Sequence, residues 1–124
     1  MKYRRRQPRT GPVHIYEVDL PVPGYETRHV TVTFAHDRGY SPHVYSDGPS
    51  TADDSPHRFP DRGRTRLCIW LPSDPPARRW VPADGLLGLF GMTAEHLFKE
   101  GWWREYREWL GDEAPHGPHA KEAN

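Results

Sequence analysis

Residues 28 to 34 alternate without a break. Val30, Val32 and Phe34 fall on one side; His29, Thr31 and Thr33 fall on the other. Period-two patterning in β-branched residues suits a pleated strand with one buried face, and it excludes an amphipathic helix there. Residues 13 to 20, VHIYEVDL, repeat the pattern more loosely, with His14, Tyr16, Val18 and Leu20 sharing a side. Pro21-Val22-Pro23-Gly24 turns the chain between these two strands. Asp37-Arg38-Gly39 turns it again, and residues 41 to 46 form a short third strand, with Pro42 at its start or on an edge. Residues 47 to 63 read as one long loop rich in Asp, Ser, Pro and Gly, and loops of that length are often functional. The fourth strand is residues 66 to 71, RLCIWL. Leu67, Ile69 and Leu71 point one way; Arg66, Cys68 and Trp70 point the other.

Helical spacing appears only late. Leu86, Leu89, Phe90, Ala94, Leu97 and Phe98 recur at intervals of three and four, with Asp84 as N-cap. Gly85, Gly88 and Gly91 imply close backbone packing or a start near Met92, and Gly101 punctuates. Trp102, Tyr106 and Trp109 mark one face of a last helix, with Gly111 as its C′ residue. Short turns between consecutive strands favour antiparallel pairing. The expected fold is therefore α+β: a four-stranded antiparallel meander with C-terminal helices packed on one side and no helix ahead of the first strand. Residues 1 to 12 are expected to be a basic flexible segment, 13 to 113 the single domain, and 114 to 124 a tail.

Composition bounds the rest. A chain of 124 residues, 35% apolar and 27% charged, holds one domain with a small core. Its 14 prolines and 11 glycines argue against a helical bundle. With a mean hydropathy of −0.92, no run approaches the roughly 18 apolar residues of a membrane span. No apolar stretch follows the basic start, so no secretory signal is read and a cytoplasmic setting is expected. A single cysteine excludes an internal disulfide and any multi-cysteine metal site. The formal net charge is zero, yet Lys2, Arg4, Arg5, Arg6 and Arg9 crowd the first ten residues and leave the remainder net acidic. Such a segment reads as a solvated end or as a contact for nucleic acid or an acidic surface. The body lacks the basic face of a nucleic-acid binder, so nucleic acid is not expected as a partner.

Cys68 is the sharpest chemical candidate. A cysteine nucleophile needs access, a lowered pKa and a polar neighbour, and Arg66 lies on its expected face. The competing reading is a small buried hydrophobe. His57 stands at the far side of a loop, 11 positions earlier, and by itself reads as a hydrogen-bonded structural residue. His116 is either a second site histidine or a solvated tail residue. His116 and His119 lack a third ligand at metal-binding spacing. Trp80 is expected to pack, and Trp102, Trp103 and Trp109 to seal the helices to the sheet.

Taken together, His57-Arg58-Phe59, Gly63, Leu67-Cys68-Ile69 and Trp80-Val81-Pro82 ahead of an apolar helix resemble the active-site region of the ubiquitin-conjugating (E2) fold family, in its divergent bacterial branch. Gly39-Tyr40-Ser41-Pro42 resembles the turn before the third strand of that family's meander. The resemblance spans roughly residues 13 to 100. It implies that Cys68 carries a ubiquitin-like protein as a thioester, received from an E1-like adenylating enzyme and passed to an amine, with a deubiquitinase-like protein encoded nearby as a further partner and with no cofactor or metal. It also implies that His57 and His116 sit near the cysteine. Two departures stand out. Phe59 occupies the place of the family's asparagine, so His57, Arg58 or another residue must serve the oxyanion. The family's leading helix, part of its E1-docking surface, has no counterpart here. The alternatives are an inactive E2-like module that binds a ubiquitin-like or E1-like partner, and a small Cys/His hydrolase.

Overall fold

A computed structural model describes residues 1–48 and 55–111. It has six strands: β1 (Lys2–Arg6), β2 (Val13–Leu20), β3 (Arg28–Ala35), β4 (Pro42–Ser46), β5 (Arg58–Asp61) and β6 (Arg64–Leu67). They form one antiparallel sheet in the order β1-β2-β3-β4-β6-β5. One long helix, α1 (Gly85–Tyr106), follows two single 3-10 turns at 76–78 and 82–84. The molecule is thus α+β with an antiparallel sheet. Among the described residues no helix is long and apolar enough to cross a membrane.

The register explains the core. Val18 pairs with Val30, Tyr16 with Val32, and Val32 with Val44, so these side chains share a face. Leu89, Phe90 and Leu97 of α1 pack onto that face, and Val30 and Val32 are fully buried. On the sheet's opposite face, among the described residues, the buried apolar cluster is the small group Val13, Ile15 and Ala35.

Three features correct the four-stranded meander with several helices. First, residues 2 to 6 form a strand. Every residue of β1 is exposed, so apolar alternation is not needed to hold it; Tyr3 instead lies against Tyr16 at 4.9 Å and bonds His14 Nδ1 through its hydroxyl at 2.7 Å. Second, the long loop contains β5. Arg62 and Gly63 turn β5 into β6 with φ of 51° and 78°, the left-handed pair that suits a tight hairpin. Pro60 is tolerated because β5 is the sheet's edge. β6 then ends at Leu67, not Leu71. Asp74 accepts from the Leu71 N–H at 2.8 Å and its own N–H returns to the Leu71 carbonyl at 3.0 Å, which turns the chain away from the sheet.

Third, the described residues contain one α-helix. Gly101 does not interrupt it: a Cβ there would lie 2.9 Å from the Tyr25 ring, so this glycine admits the ring. The helix ends when Arg107 takes the left-handed conformation (φ 58°) and its N–H bonds the Trp103 carbonyl at 2.7 Å. Trp109 lies beyond this reversal. Asp84 stands at the N-cap position, but its carboxylate accepts from the Val81 N–H at 2.9 Å. Trp80 packs beside Phe34 at 5.7 Å and donates its indole N–H to the Gly85 carbonyl at 2.8 Å.

Candidate functional site

Cys68 is the first residue after β6. Its N–H donates to the His57 carbonyl at 2.8 Å, extending the β5–β6 pairing by one rung. The side chain is half-buried, with Sγ 3.8 Å from the Trp70 carbonyl. It lies where two clefts meet. One, of about 430 Å³, includes His43, Phe59, Arg66 and Trp70; the other, of about 800 Å³, includes Arg78, Met92, His96 and Trp109. Cys68 and His57 line both.

Burial pushes the Cys68 thiol up to about 11; Arg66 pulls it down and Asp74 adds to the rise. The expected cation is therefore beside the sulfur, but desolvation outweighs it. At pH 7 the thiolate is roughly one part in ten thousand. The resting thiol is thus weakly nucleophilic, and its activation needs a group that takes the proton as the reaction proceeds.

His57 is 2% exposed. Its ring lies 4.1 Å from the Trp109 ring and 6.2 Å from His96. It packs as a buried side chain between the sheet and the chain leaving α1. Of the three site residues read from the sequence, the structure brings Cys68 and His57 together; His116 lies outside the described residues. Phe59 sits on the opposite side of β5 from Arg58, with the Arg66 guanidinium 4.3 Å above its ring.

Sequence reasoning missed two clusters. In the interior, Glu100 is fully buried. Its Oε2 accepts from Arg58 Nε at 2.9 Å and from the Ser55 hydroxyl, and its Oε1 accepts from Arg58 Nη2 at 2.8 Å. His96 Nε2 lies 3.7 Å from Oε2. Burial opposes ionisation of Glu100, but the bonds from Arg58 and the His96 contact hold its carboxyl well below the usual range. Arg58 Nη1 donates to the Asp47 carbonyl at 3.2 Å. The Arg58 guanidinium is thus engaged in the interior with Glu100 and the Asp47 carbonyl. The spacing of His96 and Glu100, four apart on the apolar side of α1, was the visible signal.

The second cluster covers the outer sheet face beside Cys68. Arg66 Nη1 donates to His43 Nε2, and its Nε lies 3.8 Å from Asp61. Tyr45 donates to the same carboxylate at 2.8 Å. Burial, with Arg38 and Arg66 nearby, lowers His43 to about 4, so His43 is neutral and accepts. Only the cross-strand pairing of Tyr45 with Arg66 brings these residues together, and a linear reading does not give that register. Among the described residues no group of three or more His, Cys, Asp or Glu is placed to hold a metal ion.

Comparisons with family models, with curated proteins and with solved structures found no match.

Proposed function

We propose that the chain is an E2-like carrier in which Cys68 holds a ubiquitin-like protein as a thioester and passes it to an amine. One observation supports this most: the sole cysteine stands at the end of a strand, half-buried, at the meeting of two clefts. In the transfer step the Cys68 sulfur attacks an incoming thioester carbonyl, the donor thiol leaves and takes the thiol proton, and an amine later attacks the new thioester and releases the Cys68 thiol. A thioester is activated towards amines, so this site has mainly to position the two groups. The raised pKa favours a protonated thiol until a partner supplies a proton acceptor. This reading names an E1-like adenylating enzyme and a ubiquitin-like protein as partners, and a deubiquitinase-like protein as a genetic neighbour.

A second reading is favoured by the burial of His57 and the commitment of Arg58 to Glu100. With both residues engaged in the interior, the domain would bind a ubiquitin-like or E1-like partner without chemistry. A Cys/His hydrolase ranks third, because it needs a base at Cys68 and His57 is packed against Trp109.

The test is direct. The protein is incubated with its candidate E1-like enzyme, ATP and ubiquitin-like protein, and resolved on gels with and without reductant. A reductant-sensitive adduct that is absent in Cys68→Ala is the expected result. Binding without any adduct supports the binding module and overturns the carrier.

A further inference from the structure

The open edge of β1 is independent of Cys68 and of the carrier role. Among the described residues β1 has a neighbour on one side only, β2. All five of its residues are exposed, and four of them, Lys2, Arg4, Arg5 and Arg6, are cations. Alternation sets Lys2, Arg4 and Arg6 on the outer side of the sheet and Arg5 with Tyr3 on the inner side. Among these cations only Arg4 meets a carboxylate in the described residues, Glu17 at 3.6 Å. An edge strand carries unpaired backbone N–H and C=O groups, a ready template for another strand.

We infer that β1 docks an acidic extended peptide segment, which adds to the sheet as a seventh strand with carboxylates facing Lys2, Arg4 and Arg6 on the outer side. Three points select this occupant. A second copy of the chain is disfavoured, because pairing two β1 edges sets like charges opposite each other. The edge presents its donors and acceptors at peptide spacing, so main-chain bonding supplies affinity and the side chains supply specificity. The first ten residues hold five cations and no acid, whereas cations and acids are interspersed along the rest of the chain; this one-strand run matches a short acidic strand, whereas a long polyanion such as nucleic acid calls for a continuous basic face.

The experiment uses the full chain and three fluorescein-labelled probes at low and moderate salt. The first is a short peptide alternating Glu with Val and Thr. The second has the same charge but a proline at every other position, so it cannot pair as a strand. The third is a single-stranded oligonucleotide. The expected result is anisotropy binding of the first probe alone, slowed amide exchange in residues 2–6, and about a tenfold or greater loss of affinity in the Arg4→Glu, Arg6→Glu double variant. Both substitutions are on an exposed edge, and unchanged circular dichroism with an unchanged urea midpoint establishes that the variant folds. Equal binding of the proline peptide, binding of the oligonucleotide alone, no binding of any probe, or full affinity in the folded double variant would each overturn the inference.

Discussion

Arg58 reaches from β5 into the interior and grips Glu100 of α1 with two parallel bonds, at 2.8 and 2.9 Å. The side chains are 1% and 0% exposed. Replacing one partner strands the other as a buried charge, a loss of about 3–5 kcal/mol. Glu100→Gln is expected to fall in that range by urea unfolding, and Arg58→Met combined with Glu100→Leu to be milder than either single change. A loss under about 1 kcal/mol for Glu100→Gln would show that the pair does not bind sheet to helix. Because the folded carboxyl ionises below its ordinary range, the stabilisation is present above about pH 4.5 and is lost as the pH falls below it.

Cys68 has the opposite sign. Its thiol is raised in the folded state to about 11, so the folded chain holds the proton that the unfolded chain has lost. Stability contributed by this group is present below about pH 9 and is lost as the pH rises towards 11. Alkylation by iodoacetamide at about pH 7.5 should run about a hundredfold slower than for a small free thiol of ordinary pKa. Arg66→Gln should slow it further, and Asp74→Asn should speed it. Alkylation as fast as that of the free thiol would contradict the burial of the sulfur.

His57 separates a structural from a chemical role. Removing its buried ring from Trp109 leaves a cavity, so His57→Ala is expected to cost about 2–4 kcal/mol. If Cys68 carries a thioester, charging and discharge should fall together in this variant, in step with its lost stability. Selective loss of discharge in a stably folded variant would instead place the ring at the oxyanion.

Two glycines of α1 make a matched pair. Gly101→Ala forces a methyl to 2.9 Å from the Tyr25 ring, and overpacking of that kind costs about 1–3 kcal/mol. Gly91→Ala meets nothing within 4 Å and should gain about 0.5–1 kcal/mol from helix propensity alone. Melting temperatures check both; equal shifts would show that Gly101 has no packing role.

The midpoints of His29 and His43 by NMR should be displaced in opposite directions from that of a free imidazole. The Asp19 and Glu17 side chains bond the His29 ring at 2.9 and 3.1 Å and raise its pKa. Burial lowers His43 to about 4. Stability from His29 is lost as the pH rises above about 6.5, and it is small because the ring is half exposed. Stability tied to neutral His43 is lost as the pH falls from about 6.5 towards 4. Coincident midpoints would refute both environments.

Much of the frame was legible in the residues themselves. The alternation at Val30, Val32 and Phe34 marks β3, and the turns at Pro21–Gly24 and Asp37–Gly39 on either side place β2 and β4. Arg66 and Cys68 share a side because they are two apart at a strand end. β1 was illegible because an edge strand hydrogen-bonded to its neighbour can consist almost wholly of cations. Gly101 reads as a stop until Tyr25, far away in sequence, is seen to need the space. Arg58 and Glu100 lie 42 positions apart, and no local period couples an arginine in a turn-rich stretch to a glutamate on a helix.

The Arg58–Glu100 clasp also limits how this molecule breathes. A segment held by a desolvated ion pair does not fray a little at a time, since partial opening would leave charges in a dry interior. Excursions that free β5 are therefore expected to be as rare as global unfolding, and the strand whose His57 carbonyl holds the Cys68 N–H is expected to open only with the whole fold.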